Sequence, residues 1–409
     1  QSRSSFLTGR YPDQTRALTL KEHFREALPD AVTLPQHFRD HGYFTARVGK
    51  IFHQGVPNEI GEDGLDDPPS WDLAINPAGV DTRVDERIVT IVPPEHDRRR
   101  FGGTLSWLGL ASDEAHTDEL VAAEAMRLLE QHHPQRTGKP FFLALGFYRP
   151  HTPFVAPQRW YDRYPPETLE LADVPPGDRE NKPVAALADR PWQAEMSEAQ
   201  KRSAIQGYYA SISFVDEQVG KVLNALEAAG LAQDTLVVFT SDHGYQLGAH
   251  GLWQKRDLFE NSVRTPLVIA APGRLEAGRS TDTLVELVDL YPTLVSLAGL
   301  EAPASRLEGR DLQAVLDGAI PPRDTALSQA WSAAGWVRPG FRDNDIMGYT
   351  IRTARYRYTE WGGGSRGVEL YDYEADPFEY RNLAGDPAAS DVLARMSGLL
   401  TDRLVKFRP

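Results

Sequence analysis

Leu236-Val237-Val238-Phe239-Thr240-Ser241-Asp242-His243-Gly244 is the segment from which the fold of this chain can be read. Its apolar start, Leu236 to Phe239, shows no polar alternation, so both faces must be covered, as in a parallel strand lying between layers of helices. The segment then ends in an acid and an imidazole, at the place where open α/β sheets gather their ligands. Two earlier segments share this plan. Tyr43 to Val48 reads as a strand that delivers Lys50 and His53, preceded by a short helix that Thr33 caps and Gly42 ends. Phe141 to Leu145 is a second buried strand, and it delivers Arg149 and His151.

Helical patterns separate these strands. Asp118 and Glu119 suit the first turn of a helix reaching about His132. Ile205, Tyr208, Ile212, Val215, Val219, Val222 and Leu226 form a stripe that Gly230 closes, read here as core packing. Pro266 to Ala270 gives a further strand, and Leu284 to Ala298 a helix interrupted near Pro292. The fold class is therefore α/β, with a mostly parallel central sheet flanked by helices. Asp317-Gly318-Ala319-Ile320-Pro321-Pro322 is the boundary candidate, dividing a large domain, 1–322, from a smaller α+β domain, 323–409. In the latter, Tyr349 to Glu360 alternates as a strand, Gly362-Gly363-Gly364 turns, and Glu369 to Tyr373 pairs back, so an antiparallel sheet with a terminal helix is expected.

A chain of 409 residues exceeds what one core supports, in keeping with a large and a small domain. The net charge of −14 argues against a nucleic-acid partner, whose footprint would be a basic face. No apolar run is long enough to span a bilayer, so no membrane role is expected. Arg98-Arg99-Arg100 reads as a solvated charge run rather than a binding patch. The absence of cysteine excludes disulfides and zinc-thiolate sites without fixing the compartment. No Asn-x-Ser/Thr acceptor occurs, which favours a bacterial protein, periplasmic or secreted before cytoplasmic.

The chain opens Gln1-Ser2-Arg3-Ser4-Ser5-Phe6-Leu7-Thr8-Gly9-Arg10. Four segments follow in order: Gly49-Lys50-Ile51-Phe52-His53, Arg149-Pro150-His151-Thr152-Pro153-Phe154, Ser241-Asp242-His243-Gly244 and His250-Gly251-Leu252-Trp253-Gln254-Lys255. Together they resemble the active-site segments of the formylglycine-dependent sulfatases, in the iduronate-2-sulfatase-like branch of the alkaline phosphatase superfamily. The resemblance runs from Gln1 to about Gly385. It implies an alkaline phosphatase-like large domain and hydrolysis of sulfate monoesters of a sulfated saccharide or a small sulfate ester. A phosphonate or phosphodiester hydrolase of the same superfamily, or a sulfated-glycan binder without catalysis, are the competing readings.

The resemblance also implies roles. The nucleophile would be a Cys or Ser two residues before Gln1, oxidised by a formylglycine-generating enzyme, on an upstream segment that also carries an Asp pair. Asp242 and His243 would complete a divalent metal site with that pair, and hard oxygen ligands favour calcium, with magnesium possible. Arg3 would hold the formylglycine and the metal-side oxygens, and Lys50 and His53 would bind sulfate and take the hydrate proton. His151 would serve the leaving group. Lys255, desolvated by Trp253, would bind sulfate or donate a proton. Asp66, Tyr245 and His250 would lie on the substrate side, His250 also supporting its loop. Gln1 stands where the modifying enzyme prefers Pro, and the acidic stretch Asp343-Asn344-Asp345 disfavours a uronate carboxylate.

Overall fold

The computed structural model describes residues 1–83, 87–93, 105–190, 192–334 and 345–407. Arg98 to Arg100, Asp343 and Asn344 lie outside the described residues. The described chain forms two compact units: a smaller one, 32–171 with 195–235, and a larger one, 1–31 with 172–194 and 236–409. Residues 317–322 fall inside the larger unit.

In the smaller unit the strands are β1 (Phe44–Gly49), β2 (Leu73–Ile75), β3 (Val89–Thr90), β4 (Ser106–Leu110), β5 (Phe141–Gly146) and β6 (Phe154–Pro157). β1 lies between β2 and β5 and is parallel to both, buried along nearly its whole length although it carries Thr45 and Arg47. Ala46 and Val48 pack against Val121 and Leu128 of the helix Thr117–Gln131. The Thr33 hydroxyl accepts the Gln36 amide and opens the helix Leu34–Asp40, which aims β1. Gly49 and Gly146 are register partners at the strand ends, and a Cβ on Gly146 would run into the Lys50 backbone. Two glycines therefore let the exits of β1 and β5 meet.

The helix Glu198–Ala228 departs from its sequence pattern. Ile205 and Leu226 of the expected stripe are buried, but the rest of the buried face is Ala204, Gly207, Ala210, Ser211, Phe214 and Gln218, while Ile212 of that stripe is 44% exposed. Small residues decide this. A Cβ on Gly207 would stand 3.0 Å from Trp107 and 3.1 Å from Phe154, so this face alone lets the helix approach β4 and β6 closely.

The larger unit holds β7 (Val237–Thr240), β8 (Gln246–Leu247), β9 (Trp253–Gln254), β10 (Leu267–Ala270), β11 (Ala326–Trp331), β12 (Met347–Arg352), β13 (Tyr356–Trp361) and β14 (Val368–Asp372). β10 pairs antiparallel with β7, and β8 with β9 forms a hairpin. β11 to β14 make the expected antiparallel sheet, covered by the helix Ser390–Phe407 through Met396, Leu400 and Leu404. Two local expectations are corrected. Tyr349 to Glu360 is two strands, because the Thr353 amide donates to the Tyr356 carbonyl and the Tyr356 amide to the Thr353 hydroxyl, closing a turn without Gly or Pro. Pro292 does not interrupt a helix but sits in the first turn of one, Leu290–Leu297, where its missing N–H costs nothing.

Candidate active site

In the larger unit the structure brings Arg3, Asp242, His243 and Lys255 into one chain of contacts. The helix Ser2–Thr8 presents Arg3, whose Nε donates to Asp242 Oδ2 at 2.8 Å. Asp242 and His243 follow β7, and His243 Nε2 lies 3.7 Å from Asp242 Oδ1. His243 Nδ1 stands 2.8 Å from the Gly244 carbonyl, an acceptor only, so that nitrogen carries the proton. Nε2 is then the lone-pair side, and the Lys255 ammonium donates to it at 2.9 Å.

The electrostatics match this geometry. Burial, with help from Lys255 and Arg3 and against Asp242, lowers the His243 pKa to about 4, which keeps the ring neutral. Burial, together with Arg190, Arg3 and Arg256 and against Asp242, lowers Lys255 to about 8. A carboxylate oxygen and a neutral imidazole lone pair, side by side, suit a divalent cation as part of a site. Among the described residues no group of three or more His, Cys, Asp or Glu could hold a metal alone, so these two fit as part of a site that needs further oxygen donors.

The smaller unit places the other predicted residues at the joined exits of β1 and β5. The Lys50 amide donates to the Gly146 carbonyl at 2.8 Å, and Lys50 is buried. His53 follows in the same turn, its carbonyl accepting the Leu65 amide at 2.9 Å. Past β5, His151 Nδ1 donates to the Thr152 carbonyl at 2.6 Å, which leaves Nε2 as the ring's acceptor. The Tyr148 hydroxyl donates to Gln54 at 2.8 Å and ties the two exits together.

Some residues take other tasks. Asp66 does not reach out to a sugar: it accepts Arg47 Nε at 2.7 Å and Trp71 Nε1 at 3.1 Å, and so neutralises an arginine buried within β1. His250 is buried against Asp178 and Phe259, which corrects its placement on the substrate side. Tyr245 is half-buried, its amide donating to Asn261 at 2.7 Å. Asp345 is exposed.

Sequence reasoning missed Asp118 as an organiser. Read as a helix-dipole residue, it instead accepts the Tyr148 and Arg149 amides at 2.8 and 2.9 Å and so shapes the turn that carries His151. Burial raises its carboxyl to about 6. Arg190 and Arg256, whose charges act on Lys255, were also missed; only the adjacency of Arg256 to Lys255 was a signal.

Comparison with known proteins agrees with this geometry. The sulfatase family model matches residues 1–300, and a model for the N-sulphoglucosamine sulphohydrolase C-terminal region matches 248–406. Iduronate 2-sulfatase of Mus musculus is 33% identical, covering 94% of this chain and 82% of its own length. Choline-sulfatase of Rhizobium meliloti is 29% identical over 94% of this chain and 73% of its own length. Among solved structures, the phosphonate monoester hydrolase SpPMH from Silicibacter pomeroyi superposes with a TM-score of 0.75 at 22% identity, covering 99% of this chain and 85% of that one. BT4656 in complex with its substrate D-glucosamine-2-N,6-O-disulfate gives 0.72 at 21% identity, covering 100% and 88%. With a family model over most of its length and iduronate 2-sulfatases of two mammals at 33% and 32% identity, the chain belongs to the sulfatases of the alkaline phosphatase superfamily and is a sulfuric ester hydrolase.

Proposed function

We propose that this enzyme hydrolyses sulfate monoesters of a saccharide with a formylglycine two residues before Gln1 and a calcium ion held in part by Asp242 and His243. The observation that carries the reading is the run Arg3–Asp242–His243–Lys255, in which Arg3, in the first turn of the helix Ser2–Thr8, is bonded to the carboxylate proposed as a metal ligand. β7 supports an upstream strand as well: among the described residues it pairs only with β10, and Phe239 and Val268 on the two strands are 45% and 59% exposed.

Asp242 and His243, with upstream carboxylates, would hold the calcium, which would supply positive charge to the sulfate oxygens once it takes the place of the Lys255 ammonium at the imidazole, and a formylglycine would supply the nucleophilic hydroxyl. The chain's own residues do the rest. Arg3 orients Asp242 by its 2.8 Å bond. Lys50 and Lys255 are cations that neutralise sulfate oxygens, and His53 accepts the hydrate proton through its imidazole. His151 keeps Nδ1–H on the Thr152 carbonyl, and when its ring is also protonated at Nε2 that proton passes to the departing oxygen, leaving the neutral ring.

The saccharide class rests on relatives named for iduronate sulfate and on the glucosamine disulfate bound to BT4656. Export to the periplasm or medium is part of this proposal; among the described residues no helix is long and apolar enough to cross a membrane. The test is to express the protein with its upstream residues and a formylglycine-generating enzyme, then assay aryl sulfates, sulfated monosaccharides and phenylphosphonate. Sulfate turnover that chelation abolishes and calcium restores is expected, with the aldehyde or its hydrate found by mass spectrometry. Phosphonate turnover exceeding sulfate turnover, or robust sulfatase activity of a polypeptide starting at Gln1, would overturn it.

A further inference from the structure

We infer that Asp178, Lys182 and His250 form a buried clasp that positions Lys255 for catalysis. The inference rests on the sulfatase reading above and adds to it positioning residues that do not touch substrate. His250 sits at the tip of the β8–β9 hairpin with a positive φ of 57°, and its Nδ1 lies 3.2 and 3.3 Å from the two Asp178 carboxylate oxygens. The same carboxylate accepts the Lys182 ammonium, which also donates to the backbone carbonyls of Asp178 at 3.0 Å and Tyr380 at 3.3 Å. Phe259 stacks on the His250 ring at 4.2 Å and Tyr380 meets it edge-on at 5.4 Å. Arg179, itself held by Asp189 at 2.6 Å, donates to the His250 carbonyl at 3.3 Å.

Side chains in this clasp are at most 2% exposed and lie beside the apolar cluster of Leu252, Leu258, Phe259, Trp361 and Tyr371. Burying such charges costs as much as the pairing returns, so net stability does not explain the arrangement. Geometry does. Lys255 is flanked by Gln254 at φ 81° and Arg256 at φ 80°, two L-residues in the left-handed region. Each such residue costs about 1–3 kcal/mol and persists only where its surroundings over-determine it. Asp257, bonded to Gln246 at 3.1 Å and Ser262 at 2.8 Å, fixes the base of the hairpin. The clasp fixes its tip. Between the two, the strained backbone aims the Lys255 ammonium at His243, 2.9 Å away.

The test uses the full-length, formylglycine-bearing enzyme with Asp178→Asn, Asp178→Ala, Lys255→Ala and the Asp178→Ala/Lys255→Ala pair. A misaimed catalytic group costs up to about 100-fold. Asp178→Ala should therefore lower kcat about 10- to 100-fold on sulfate esters of good and poor leaving groups alike, with Asp178→Asn retaining part of the rate. Because the clasp acts through Lys255, the double variant should be no slower than Lys255→Ala alone. Losses that multiply in the double variant would overturn the inference, as would an unchanged kcat in Asp178→Ala. Amide hydrogen exchange over residues 246–256 gives a readout free of turnover: it should quicken in Asp178→Asn while β11 to β14 keep their protection, and unchanged exchange would equally sink the clasp. Wild-type enzyme inactive on every sulfate ester would refute the sulfatase reading instead and leave the exchange result to judge the clasp.

Discussion

Two aspartate–arginine pairs follow opposite rules in this protein. Arg149 and Asp81, in the smaller unit, meet at 2.6 Å with side chains 1% and 3% exposed, and every further polar atom has work: Arg149 donates to the Val155 carbonyl at 2.7 Å and Asp81 accepts the Thr117 amide and hydroxyl at 2.7 Å each. Arg3 and Asp242, in the larger unit, meet at 2.8 Å but stay 21% exposed, and Asp242 keeps Oδ1 turned toward His243. The first pair is saturated, so it can only hold the fold. The second is reached by solvent and lies beside an imidazole, the setting in which a carboxylate can also serve a bound ion.

The largest effect should come from breaking the open pair. Asp242→Ala should lower turnover by at least about 10³-fold, with no rescue by added calcium, while the melting temperature moves little because the carboxylate is half-solvated. Aryl sulfate kinetics and a melting curve on one preparation check both halves, and full activity would remove Asp242 from the site.

Breaking the closed pair should do the reverse. Asp81→Ala leaves Arg149 charged and buried, and a loss of about 3–5 kcal/mol in urea unfolding is expected. If the folded fraction keeps normal kcat, Asp81 is structural; a stable variant with lost activity would erase the distinction drawn here.

His151 offers an intermediate case, a half-buried ring pinned through Nδ1. His151→Ala should slow alkyl sulfates by about 10²-fold and activated aryl sulfates far less, since a good leaving group needs little acid help. Equal losses on both would make His151 a substrate-positioning group.

The smallest effect concerns a closed carboxyl in the C-terminal sheet. Glu369 accepts Trp361 Nε1 at 2.8 Å and the Tyr371 hydroxyl at 2.7 Å, and burial raises its pKa to about 7. Between its ordinary value of 4.5 and about 7 the folded state holds a proton that the unfolded chain has released. Its stabilising contribution is thus complete below 4.5 and lost as pH rises through 7. Glu369→Gln should flatten that decline by about 1–3 kcal/mol between pH 5 and 8 in denaturant titrations. Asp118 and Asp257, both raised to about 6 by burial, keep part of the slope.

Legibility in the sequence followed from how local the cause was. Strands β5 and β7 were readable as strands because an unbroken apolar run needs no partner to identify it, and β1 because Gly42 marks its start. Covering on both faces was overstated for β7, which pairs antiparallel with β10 and leaves Phe239 exposed. The Thr353 turn was not readable, because a side-chain and backbone exchange with Tyr356 replaces the usual Gly or Pro mark. The face of the long helix was misread for a related reason: its aliphatic stripe is real, but close approach to β4 and β6 selects the smaller residues beside it.

By itself the sequence determined the α/β class, the strand exits that bear Lys50, His53, His151, Asp242 and His243, and the antiparallel C-terminal sheet, all consequences of periodicity and of short motifs whose residues are neighbours along the chain. Only the tertiary structure decided which of the charged residues are committed to holding the fold. Asp66, Asp81, Arg149 and His250 look no less catalytic in sequence than Arg3 or Asp242. They are spent on partners that lie from 19 to 72 residues away, and the cost of an unpaired buried charge makes those distant partners compulsory.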